Sequence, residues 1–191
     1  LAKQRQEKEP LIHCGVYLDI AAADTEKLRT ELLKVALGVW DHIKNHGDHD
    51  ADNWELEWIG FLPGKRESRR LLGDYVLNEA DCAGGRRFAD AVAYGGWPMD
   101  VHTVEGFLND SDDPTVWLRL EDVYTIPYRC YYSRNIPNLF LCGRIISASH
   151  MAFASARVMA TCAVGGQAVG TAAAIAVHRG ILPREVGAHI R

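Results

Sequence analysis

No Gly-x-Gly-x-x-Gly segment occurs anywhere in the 191 residues. By motif alone, then, the chain carries no dinucleotide-binding fingerprint. Cysteine is sparse: Cys14, Cys82, Cys130, Cys142 and Cys162, an odd number with no Cys-x-x-Cys pair. That excludes a disulfide framework and points to free, partly buried thiols in a reducing compartment, which favours the cytoplasm. The first ten residues, LAKQRQEKEP, lack the apolar stretch of a signal peptide. Basic charge is not in excess either. The net charge is −4 and the pI about 6.1, which speaks against general nucleic-acid binding, since Lys and Arg supply the affinity for phosphate backbones. The chain also opens on Leu1 and not on Met, and so reads as cut from a longer polypeptide.

What is present is ordinary for a soluble globular protein. Hydrophobic residues at 48% and charged residues at 24% exclude a disordered or collagen-like chain and allow one domain, or one domain with a small lobe. Val158–Val177 carries no charged side chain and is long enough to span a bilayer. Its residues are mostly Ala, Gly and Thr, with Gln167 in the middle and no flanking Trp or Tyr, so no membrane span is expected. A helix with such small side chains suits the close approach of a sheet, another helix or a flat ligand.

Along the chain, Leu11–Ile20 reads as a strand. Leu28, Leu32, Val35, Val39 and Ile43 recur at helical steps, with Asp24 or Thr25 as cap and Gly47 as stop. Trp54, Leu56 and Trp58 alternate with Glu55 and Glu57 as in a half-buried strand, followed by a Pro63-Gly64 turn. Arg70–Asn78 reads as a second strand antiparallel to it. Ala80–Gly96 reads as irregular, Gly106–Pro114 as a polar loop, Val123–Tyr132 as extended and Asn138–Cys142 as a short buried strand closed by Gly143. A helix is expected over Ala156–Arg179, ended by Gly180 before Pro183. The fold class is α+β: an antiparallel-sheet module with a helix over residues 1–133, then a strand and long helix over residues 134–191.

Several motifs fail. His42 and His46 stand four apart, His49 follows, and Asp48, Asp50 and Asp52 lie beside them. A zincin needs Glu after the first His, where Ile43 stands; an EF-hand needs Gly and Glu where Asn53 and Ile59 stand. The cluster reads as a solvated helix end, no metal is expected, and a metal-binding domain using His42, His46 and His49 stays as an alternative. Gly60–Lys65 is one residue short of a phosphate-binding loop, and Arg66 replaces its Ser or Thr.

The informative stretch is Asn138–Ala174. A buried strand ends at Gly143-Arg144, a Ser- and Ala-rich turn carries His150, and Arg157 opens a small-sided helix. Gly143 permits close backbone approach to a planar ligand, and a helix start offers unpaired N–H groups at a positive dipole end. This segment resembles the C-terminal FAD-binding segment of the FAD-dependent oxidoreductase family, which ends in a strand, a Gly-Arg pair and a helix like Gly166–Ala174. Upstream, Gly64–Arg70 with Gly73-Asp74-Tyr75 and Asp81, then Phe88–Asp90, Trp97–His102 and Tyr124–Arg129, are similar to further blocks of that family in the same order. The resemblance covers residues 54–187.

The resemblance implies a flavoenzyme with FAD as cofactor and a small-molecule substrate. Residues 1–133 would be the substrate module and residues 134–191 the C-terminal part of the FAD-binding domain. Gly143, Arg144, Ser149, Arg157, Gly166 and Gln167 would contact the cofactor. His150 would be the catalytic base with Arg157 beside it, and Arg66, Arg69, His102 and Tyr128 would meet a small polar substrate, hydroxylated or sugar-like. The region that would hold the ADP half of FAD is absent, so the chain reads as a fragment, inactive alone, of a two-domain flavoprotein whose N-terminal dinucleotide-binding region lies elsewhere on the polypeptide. Arg66, Arg69 and Arg70 could equally be a surface cluster with Glu67, and His102 a core histidine. A non-catalytic binding module derived from a flavoprotein also remains open.

Overall fold

The computed structural model describes residues 25–46, 49–60, 69–102, 113 and 115–189. The strand expected at Leu11–Ile20, the Gly47 stop, the Pro63-Gly64 turn, Arg66 and most of the Gly106–Pro114 loop lie outside them. Two units are distinguished: Leu1–Glu67 with His102–Thr115, and Ser68–Val101 with Val116–Arg191.

In the first unit, helix α1 (Thr25–Asp41) carries the expected stripe, with Leu32, Val35 and Val39 half-buried. It runs into a π turn, His42–His46. A π turn sets residues five apart above one another. His46 accordingly stands over Asp41, 3.2 Å from its carboxylate, and not beside His42. Lys44 gathers the following loop, donating to the carbonyls of Ala51, Asp52 and Trp54 at 3.1, 2.8 and 3.0 Å. The alternation at Trp54–Trp58 yields no strand among the described residues. Those side chains are exposed, Trp58 by 80%. Alternation marks a strand only where a partner pairs with the backbone.

The second unit holds a short helix α2 (Glu79–Ala83), β1 (Ala91–Gly95), β4 (Tyr124–Pro127), and helices α3 (His150–Ala156), α4 (Met159–Arg179) and α5 (Pro183–Val186). Strands β2 (Met99–His102) and β3 (Thr115–Leu118) pair with each other, and β1 pairs antiparallel with β4, with an irregularity between Ala91 and Ala93. The fold is therefore α+β. Ala80–Gly96, read as irregular, contains α2 and β1. A reciprocal box between Asn78 and Asp81 starts α2: each side chain accepts the other's backbone N–H at 3.1 Å. Gly95 is obligatory because a Cβ there would collide with the Tyr124 ring.

Arg70–Asn78 does not pair with Trp54–Trp58. It lies instead along residues 145–149: Leu77 bridges Ala148 in parallel, its N–H donates to Ser147 at 3.1 Å, and its carbonyl accepts from Ser149 at 2.7 Å. Asn138–Cys142 forms only a single bridge, Tyr132 to Phe140, although Leu141 is fully buried.

Leu77, Met99, Tyr124, Ile126, Tyr131 and Phe153 form the centre of the core, with α4 packed on β1. Burying an aromatic such as Phe153 is worth about 1.5–3 kcal/mol. A second cluster joins Tyr128, Tyr132, Ala172, Ala176 and Val186 beneath α4 and α5. The close approach of α4 requires Gly165, whose hypothetical Cβ would lie 2.7 Å from the Tyr131 ring.

Candidate functional site

The helix expected over Ala156–Arg179 is α4, which starts at Met159, and the turn expected to carry His150 is a separate short helix, α3, ended at Arg157-Val158. Ser149 starts α3, its hydroxyl accepting the Ala152 N–H at 3.2 Å, and His150 is the first helical residue and exposed. Arg157 caps the end of α3 and does not open α4. Val158 is extended there, and the thiol of Cys162 donates to the carbonyls of Ala156 and Arg157 at 3.7 and 3.4 Å, taking up acceptors the break leaves over. Val158, the N-cap of α4, offers no side-chain cap to its first turn.

The Arg157 side chain is only 6% exposed. One guanidinium nitrogen reaches the carbonyl of Asp100 at 2.9 Å and its carboxylate at 3.3 Å. A buried cation needs such a partner, because desolvation alone would oppose its charge. The same guanidinium lies 5.9 Å from the centre of the Phe153 ring. Asp100 sits inside the Trp97–His102 block, but its pairing with Arg157, 57 residues away, leaves no local signal in sequence.

Gly143 adopts φ +65°, the left-handed region, and a Cβ there would meet nothing within 4 Å. Its turn, Gly143–Ile145, lies against α4. Arg144 is exposed, and its charge draws down the Cys162 thiol, which burial and Cys142 push up; burial dominates and the net shift is upward. On α4 the glycine doublet divides its work: Gly165 admits Tyr131, while a Cβ at Gly166 or Gly170 would have no neighbour within 4 Å among the described residues. Gln167 is exposed on the same helix. The buried hydroxyl of Ser147, in the turn before His150, finds no hydrogen-bond partner among the described residues.

Of the residues assigned to substrate, Tyr128 is not at a surface. It is 2% exposed and donates to the Pro183 carbonyl at 2.6 Å, and burial raises its phenol well above the usual range. Tyr128 thereby fastens α5. Arg69 is exposed. His102, at the end of β2, lies 3.2 Å from the Thr115 hydroxyl. Arg70 donates to the Ala148 carbonyl at 3.0 Å and lies 5.3 Å from the centre of the Phe153 ring.

Much of the upstream motif builds scaffold. Asp81, almost fully buried, accepts from Tyr75 and Arg86, each at 2.8 Å, and Arg86 covers the Phe88 ring. Arg129 grips Asp90 through two nitrogens at 2.9 and 3.2 Å. Asp74 receives Arg184 at 2.7 and 2.8 Å and Tyr132 at 2.9 Å. Partial burial raises the Asp74 carboxyl, but the bonds from Arg184 and Tyr132 and the nearby guanidinium charges outweigh it and hold the group below its ordinary value.

His42 and His49 approach to 3.2 Å, but His46 turns to Asp41, and among the described residues no group of three or more His, Cys, Asp or Glu could hold a metal ion.

The donors present suit a planar, anionic cofactor. Among the described residues, a Cβ at Gly143, Gly166 or Gly170 would meet nothing within 4 Å, the N-cap Val158 gives the first turn of α4 no side-chain cap, and Ser147 keeps a spare buried hydroxyl. A family model described as FAD dependent oxidoreductase matches residues 3–190. Comparison with curated proteins returns no match, and neither does comparison with solved structures.

Proposed function

The chain belongs to the FAD-dependent oxidoreductase family, and on that premise we propose that it forms the flavin-side wall and substrate surface of an enzyme that takes hydride from a small polar substrate. The observation that carries this reading is the glycine surface: Gly143 at φ +65° beside a long helix where a Cβ added at Gly166 or Gly170 would meet none of the described residues within 4 Å. FAD, the cofactor of the family, supplies the hydride acceptor. Gly143, Arg144, Ser149, Gly166 and Gln167 would line its ring and ribityl side. Arg157, held by Asp100, contributes fixed positive charge near the start of α4, where negative charge on a reduced flavin is favoured.

His150 is the base. It stands at the exposed start of α3, and its imidazole accepts the hydroxyl proton as the adjacent C–H bond gives up hydride. Arg66, Arg69, His102 and Tyr128 are the proposed substrate contacts. A hydroxylated substrate, sugar-like or a hydroxy acid, matches such a set of donors. In this reading residues 1–133 serve the substrate and residues 134–191 complete the FAD domain, with the dinucleotide-binding region supplied by the same polypeptide, in the cytoplasm.

The test is a screen of the full-length protein against aldoses, polyols and 2-hydroxy acids, following anaerobic bleaching of bound flavin. A compound should bleach the flavin, and His150→Gln should slow that step by about 10²–10⁴-fold at unchanged flavin content. Equal rates in parent and variant would remove His150 as the base.

A further inference from the structure

We propose that Arg70 is a positioning residue for His150, acting through the Ala148–His150 turn; the inference rests on the flavoenzyme reading above. Backbone bonds fasten alternate residues of the arm that leads into α3. Ile145 accepts from Leu71 at 3.0 Å, Ser147 accepts from Leu77 at 3.1 Å, and Ser149 donates to Leu77 at 2.7 Å. Carbonyls alternate in direction along an extended chain, so these bonds leave the Ala148 carbonyl facing another way. Arg70 meets it there, Nε donating at 3.0 Å, two residues before His150.

The same guanidinium lies 5.3 Å from the centre of the Phe153 ring. Phe153 is fully buried, and its N–H donates to the Ser149 carbonyl at 2.9 Å in the first turn of α3. Arg70 therefore touches both the residue that leads into α3 and the ring that anchors its first turn. Arg157 lies 5.9 Å from that ring's centre and is tied to Asp100. Both ends of α3, with His150 at one and Arg157 at the other, are thus referred to a single ring flanked by two guanidinium groups. Lysine could supply charge here, but neither the planar Nε–H nor the stacking surface.

The test uses full-length, flavin-loaded protein carrying Arg70→Lys, with Arg70→Gln in parallel. Hydrogen exchange read by mass spectrometry should show the amides of residues 148–153 exchanging about tenfold faster in both variants, with those of α4 within about twofold of the parent. Flavin bleaching by the active compound of the screen should then slow by about 10–100-fold when His150 is present, and by less than about twofold in a His150→Gln background. Unchanged exchange at residues 148–153, or equal slowing in both backgrounds, overturns the proposal. If His150→Gln alone leaves bleaching unaffected, the catalytic reading fails, and the exchange result still reports separately on whether Arg70 holds the turn.

Discussion

At the scale of single residues, neighbours of one type do opposite work. Gly165 and Gly166 are adjacent, yet only Gly165 is pressed by Tyr131. Gly165→Ala should therefore lower stability by about 1–3 kcal/mol in thermal or urea unfolding, while Gly166→Ala should raise it by about 0.5–1 kcal/mol, the cost of a glycine in a helix interior. The sequence showed that small residues matter on this helix but could not divide their roles, because the division depends on which face Tyr131 covers. The cysteines sort in the same way. Burial pushes the Cys82 and Cys130 thiols up to about 12, whereas Cys142 is exposed. A maleimide reagent at neutral pH should label Cys142 in the native protein and reach Cys82 and Cys130 only after unfolding, since the thiolate is the reactive form. Mass mapping of the labelled peptides checks this.

At the scale of elements, the α3–α4 break is the largest departure from what the sequence suggested. The sequence reading leaves His150 on a turn and starts one helix at Ala156; residues 150–158 hold no Gly or Pro, so no breaker marks where α3 ends and α4 begins. At the break Arg157 reaches Asp100, 57 residues away, and the Cys162 thiol takes up the freed carbonyls from the next turn. The same limit applies to Asn138–Cys142 and Trp54–Trp58, where apolar pattern was legible and the presence of a pairing partner was not. The end of α4 was readable because Gly180 needs its left-handed φ of +65°, a local requirement. Ser149→Ala should lower stability by about 1 kcal/mol through loss of the α3 cap, measurable as a shift of the denaturant midpoint with unchanged slope.

At the scale of the whole molecule, the ordered motif blocks turn out to be largely ion-pair scaffold around Asp74, Asp81 and Asp90. The blocks identified the family; they did not single out site residues, since a motif can mark packing as readily as chemistry. Two pH limits follow. Asp74 is depressed, so its contribution is whole above the ordinary carboxylate value of 3.8 and is lost as pH falls through the lower folded value. Asp74→Asn should thus destabilise at neutral pH and converge with the parent in acid. The raised groups act in the opposite sense. Cys82, Cys130 and Tyr132 move up to about 12, so their contribution is whole below the ordinary 9.0 of a thiol or 10.0 of a phenol and is lost as pH rises through about 12. Unfolding free energy should fall through that alkaline window, as urea titrations at stepped pH would show.

The central claim is that the open glycine surface of Gly143 and α4 receives the flavin. The flavin-to-protein absorbance ratio of full-length Gly166→Val measures it most directly, with far-ultraviolet circular dichroism as the check on folding. The ratio should fall below about a tenth of the parent's, as expected when a branched side chain blocks close backbone approach, with the dichroism unchanged; a folded variant that keeps the parent's flavin ratio would contradict the account.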